Sequence, residues 1–293
     1  MKAEPRHIDV ERSSRYFAAL FIITFVAFWP TYFAPGLGAS GFYIHIHAFT
    51  ATLWMLMLIV QPWLIKTYRY QQHRALGRFS YLIAPSLLIS MVLLANFRLR
   101  TVQADAYQIQ TYILYLQASL AAIFAISFGF AIWYRARADI HARFMICTGL
   151  TLIDPVFARL IYWIHPASAE YHQWITFGLT DLVLLALIWF ERRSLTARWV
   201  FPVMLCVFVL LQIPALLWLT NFEPWQSFAL WFKSIPLTWI IDNSSIRDFW
   251  IYSFDWNRNQ SKKISEIISF LRHFSGGESL FARQPQNHRL LSA

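Results

Sequence analysis

Residues 43–65 read YIHIHAFTATLWMLMLIVQPWLI, twenty-three positions without one Asp, Glu, Lys or Arg. A hydrocarbon core of ~30 Å is crossed by about 20 residues of helix. Within it every backbone group must bond inside its own segment, so such a run predicts a transmembrane helix. Six further stretches pass the same test: 16–34, 79–97, 110–134, 144–164, 173–190 and 199–219. The ten-residue alternation of a membrane barrel is absent. The fold expected is therefore an all-α integral membrane protein, a bundle of about seven transmembrane helices whose principal partner is the lipid bilayer.

Composition points the same way. Apolar residues make up 58% of the chain and charged residues 14%, about half the usual share of charge. Aromatic residues reach 18%, as suits side chains that settle at bilayer interfaces. Cys147 and Cys206 lie inside apolar runs, giving neither a disulfide framework nor a metal spacing. The first run, from Tyr16, lacks an early small-residue cleavage site and reads as a helix that stays in the membrane.

The net charge of +10 is not gathered into a patch of the kind nucleic acid needs; it sits in short clusters between apolar runs. Lys2, Arg6, Arg12 and Arg15 precede the first run, and Lys66, Arg69, Arg74 and Arg78 follow the second. Arg135, Arg137 and Arg143 follow the fourth, and Arg192, Arg193 and Arg198 the sixth. Against these fourteen, the first three loops of the other side hold only Arg98 and Arg100. The positive-inside bias predicts a cytoplasmic N-terminal segment, 1–15, and an inner-membrane location.

Beyond the transmembrane domain, 16–219, two readings of 220–241 are open. It is an interfacial helix with Trp225, Phe228, Leu230 and Trp231 dipping into the headgroup boundary, or a short eighth crossing. Lys233 and Pro236 in its middle favour the first. Residues 242–293 are polar and read as a loose tail, with one amphipathic helix expected at 264–274.

Ionisable groups within a span are costly and are functional candidates by default. Asp154 and Asp181 fall near the middle of the fifth and sixth runs, and Arg159 lies five residues beyond Asp154, ~7.5 Å along the axis. Five residues turn a helix by roughly 140°, so Asp181 rather than Asp154 is the expected partner of Arg159. On the second helix His47, Thr50, Trp54, Leu58 and Gln61 share one face. His45 and His47 are two apart and cannot chelate one ion. His47, Gln61, Asp154, Arg159 and Asp181 thus form a candidate interior polar site, with a structural ion pair and a satisfied histidine as the alternative.

A second candidate cluster lies at the cytoplasmic face. His73, Arg74 and Arg78 open the third helix, and Asp139, His141 and Arg143 open the fifth. Three readings stand: headgroup-anchoring bases, an anion or lipid-phosphate site, or haem b held by His73 and His141. The fourth run has no histidine for a second haem, and no glycine-rich phosphate loop, GxSxG, HExxH or CxxC occurs.

Together, His47, the Gln61-Pro62 pair, His73-Arg74-x-Leu76-Gly77-Arg78 and Asp139-x-His141-x-Arg143-x-Met145 resemble a family of bacterial multi-pass membrane proteins grouped as a domain of unknown function. The resemblance covers residues 43–163 and implies a compact inner-membrane bundle that carries these positions. A looser similarity is to four-helix membrane b-type cytochromes. The functions expected are a redox or haem-associated membrane protein, a transporter or binder of a small anionic or lipid-like molecule, or an assembly factor without catalysis.

Overall fold

The computed structural model describes residues 10–36, 38, 40–165, 171–194 and 196–239. The loose tail, the helix expected at 264–274 and most of the N-terminal segment lie outside these residues. Ten α-helices follow in order: α1 (Val10–Phe28), α2 (Phe42–Lys66), α3 (Tyr70–Arg78), α4 (Ser80–Thr101), α5 (Tyr107–Trp133), α6 (Ala138–Leu150), α7 (Ile153–Ile164), α8 (His172–Glu191), α9 (Val200–Leu216) and α10 (Glu223–Ser234). No strand occurs among the described residues. Among the described residues six helical segments are long and apolar enough to cross a membrane, and α9 is a shorter apolar helix. This is a multi-pass membrane protein.

The helices that cross the bundle are α1, α2, α4, α5, the α6–α7 pair, α8 and α9. Their apolar side chains point outward as well as inward; Ile22, Leu82, Leu182 and Leu210 are all more than half exposed, as a lipid-facing surface requires. The α6–α7 span is the best enclosed, 56% buried against 17–44% for the other five long spans. It runs through the middle, packed by α1, α5, α8 and α9. One end of the bundle carries the basic loops and is termed here the basic face; the loops after α1, α4, α7 and α9 form the opposite face.

Two features depart from continuous spans. The sequence places His73 to Arg78 at the start of the third helix, but these residues form a separate surface helix, α3, before α4. The fifth span is broken at Thr151 and Leu152. Pro155 supplies the reason, since it has no N–H to give the Thr151 carbonyl. The turn tightens instead, with Leu152 N–H donating to Gly149 O at 3.1 Å. The Thr151 hydroxyl also donates back to Thr148 O (2.7 Å), a bond that favours bending.

At the opposite face α9 ends on Trp218, whose φ of 55° is left-handed; its ring stacks on Tyr112 at 5.1 Å. Helix α10 then packs on the ends of α4 and α5. Phe228, Leu230 and Trp231 are exposed, as an interfacial helix predicts. Trp225 differs: it turns inward and donates from Nε1 to Thr111 O (3.1 Å). Asn96 holds the C-terminal end of α10, donating to Phe232 O (2.8 Å) and Ile235 O (3.2 Å).

Candidate functional site

The interior site takes shape where α7 begins. Asp154 stands in the first turn of α7, buried, and its Oδ1 accepts from Gln173 Nε2 (2.7 Å) and Thr176 Oγ1 (2.5 Å) of α8. Two neutral donors so close hold the carboxyl in one position. Neither donor was singled out in the sequence, although their three-residue spacing put two polar groups on one face of an apolar helix. A small cavity borders Asp154, with about 20 Å³ open to the centre of a water molecule and walls almost wholly apolar. Its surface resembles a packing void more than a ligand pocket.

Arg159, just over one turn further along α7, donates to Pro155 O (2.7 Å) and lies against the Phe28 ring of α1, 4.3 Å from its centroid. No carboxylate among the described residues comes within ion-pair distance of it. Its electrostatic neighbours are Asp154 on its own helix and Arg98 on α4. His47 on α2 feels both arginines. The His47 Nδ1 lies 3.1 Å from Ser90 Oγ, whose own proton goes to Leu87 O (2.7 Å). Thr50 Oγ1 lies 3.0 Å from the same hydroxyl. His45, by contrast, bonds Tyr32 (2.8 Å), so the two histidines do point apart.

Two expectations for this site are corrected. Asp181 does not pair with Arg159; its Oδ1 accepts from Gln212 Nε2 of α9 (3.1 Å). One residue turns a helix by about 100°, so while Thr176 and Thr180 face inward, Asp181 sits at the seam with α9. Gln61 does not join His47 either. Both lie on one stripe, but fourteen residues separate them by about 21 Å of helix. Consequently, Arg159→Leu and Asp181→Leu should lower thermal stability independently, each by roughly 1.5–3 kcal/mol for a lost charged hydrogen bond. A double-mutant cycle with a coupling above experimental error would restore direct pairing.

Gln61 belongs to the basic face. With its amide oxygen accepting from Gly77 N–H (2.9 Å), its NH₂ reaches His73, at the carbonyl oxygen (3.3 Å) and at Nδ1. The Gln-Pro and HRxLGR motifs thus meet through one side chain that ties α3 to α2. His141 donates from Nδ1 to Ala131 O at 2.8 Å and is near enough to His73 to interact electrostatically. Arg143, expected among the headgroup-facing bases, is buried instead. It donates one hydrogen bond to Glu191, Nε to Oε2 (2.7 Å), closes an ion-pair contact from NH2 to Oε1 (2.6 Å), and donates to Asp139 O (2.6 Å). Glu191 was overlooked in the sequence; its signal is a lone acid closing an apolar run beside Arg192 and Arg193. Arg74 and Arg78 are exposed.

Haem ligation by this histidine pair is poorly served. Each ligand must offer a nitrogen lone pair to iron. His141, with its proton on Nδ1, keeps one on Nε2. His73 spends its Nδ1 lone pair on Gln61 and so carries its proton on Nε2. Both histidines are thus engaged by protein partners, and nothing among the described residues speaks for a bis-histidine haem. No three His, Cys, Asp or Glu side chains gather as a metal site among the described residues. No family profile, curated protein or solved structure matches the chain.

Proposed function

We propose that this chain is an inner-membrane protein that binds or transports a small anionic molecule at an interior site near the opposite face. The observation that carries this reading is Arg159. Among the described residues its guanidinium has one backbone acceptor and one aromatic face, while Asp154, the nearest carboxyl on its helix, is held by Gln173 and Thr176. A cation within a span calls for an anion, and a planar guanidinium whose other donors meet no acceptor among the described residues suits carboxylate or phosphate oxygens. His47 brings a second polar group from another helix. The broken α6–α7 span supports the reading further, because discontinuous helices frame many ligand sites at mid-membrane.

Purified protein should therefore gain thermal stability, saturably, with at least one of chloride, inorganic phosphate, acetate or succinate. A ligand at one hundred times its Kd adds about 2.7 kcal/mol. Arg159→Leu should abolish that gain. If no anion stabilises the protein, or the variant responds like the parent, the site is structural.

The basic face is assigned to the cytoplasm on the fourteen-to-two bias. A reporter fused after Arg137 should then behave as cytoplasmic and one after Asp105 as external; the reverse pattern would invert the assignment.

A further inference from the structure

Helix α3 has three residues turned to the bundle, His73, Leu76 and Gly77, and an outer face that holds Arg74 and Arg78. The two arginines are one turn apart, where like charges repel, and neither has a hydrogen bond or ion pair among the described residues. Other bases of this face are partly committed. Arg69 lies over the Trp63 ring at 5.2 Å, Arg192 over Trp189 at 3.7 Å, and Arg135 donates to Tyr81 Oη at 2.9 Å. Negative charge is scarce: between Glu11 and Asp105 the sequence has no acid at all, and Glu191 is consumed by Arg143.

Position adds to charge. Phe79 and Leu82, which follow directly in the chain, are 59% and 67% exposed, so the lipid-facing surface of α4 begins immediately beside α3. A groove-free pair of guanidiniums at that boundary is matched by a phosphodiester held at headgroup depth, with acyl chains along α4. The Gln61 contacts to His73 and Gly77 fix the helix so that both arginines face that level together.

We infer that α3 is a docking site for the headgroup phosphate of an anionic phospholipid, with Arg74 and Arg78 as its contacts. The inference is independent of the interior anion site. It is tested by titrating full-length detergent-purified protein with short-chain phosphatidylglycerol, short-chain phosphatidylcholine and inorganic phosphate, reading apparent affinity from thermal stability. The protein should prefer phosphatidylglycerol, and the preference should weaken with added salt. Each of R74Q and R78Q should reduce it about fivefold, and the double variant on the order of twentyfold. R193Q/R198Q, an equal loss of charge on the same face, should leave it nearly intact. Three results would overturn the inference: an unchanged preference in R74Q/R78Q, an equal loss in R193Q/R198Q, or displacement of phosphatidylglycerol by millimolar inorganic phosphate. The first would remove the site, the second would make it diffuse charge, and the third would make the ligand a free ion.

Discussion

Glu191→Leu should cost this protein about 3–5 kcal/mol, among the largest losses of any single substitution. Glu191 is 1% exposed and Arg143 5%, so removing either strands the other's charge inside the bundle. One hydrogen bond and one ion-pair contact join α6 to α8 at the basic face, and Arg143 also donates within α6 to Asp139 O (2.6 Å). Arg143→Leu should therefore be nearly as damaging as Glu191→Leu. Arg143→Leu combined with Glu191→Leu should recover much of the loss, since two apolar side chains of similar volume replace a buried pair at little or no cost. Glu191→Gln is the sharper probe, because it keeps the shape and some hydrogen bonding while removing the charge. Thermal unfolding in detergent measures all four variants. Additive losses across the cycle would mean that Arg143 draws its compensation from elsewhere.

This pair also shows where sequence reasoning stops. Apolar run length places every crossing, because hydrocarbon thickness leaves so little choice of element. Periodicity gives the phase of a residue on its own helix, and it correctly set His45 and His47 apart. It does not give the azimuth of one helix against its neighbour. That is why Asp181, expected beside Arg159, meets Gln212 instead, and why Arg143 of the cytoplasmic-face cluster turns inward to Glu191. Depth is a second blind spot: Gln61 and His47 share a stripe but sit at different membrane levels. Other signals were present and went unused. Pro155 announced the break in the fifth span, and Gln173 with Thr176 announced a polar face on α8.

The second large effect is expected at Gly149, and it follows from the same break. A Cβ built on Gly149 would overlap the Phe17 ring of α1 and stand 3.1 Å from Leu58 Cδ1 of α2. Phe17 is 8% exposed and rests on bare backbone, so the central span approaches α1 as closely as a glycine permits. Neither neighbour can yield easily: Leu58 is buried in the same core, and Ser14, one turn before Phe17, is anchored to Ile59 O (2.8 Å). Gly149→Ala should therefore lower stability by about 1–3 kcal/mol through overpacking, and Gly149→Val by more. A cavity substitution would normally add its own cost, yet here Phe17→Leu should rescue Gly149→Ala, because the shorter side chain frees the volume the new methyl needs. The rescue also separates packing from propensity. On propensity alone, alanine is better than glycine in a helix by roughly 1 kcal/mol, so in the Phe17→Leu background Gly149→Ala should turn neutral or stabilising. If Gly149→Ala destabilises the protein equally whether Phe17 or Leu occupies that position, contact with α1 is not what demands the glycine. The demand would then lie in the tight turn at Thr151 and Leu152.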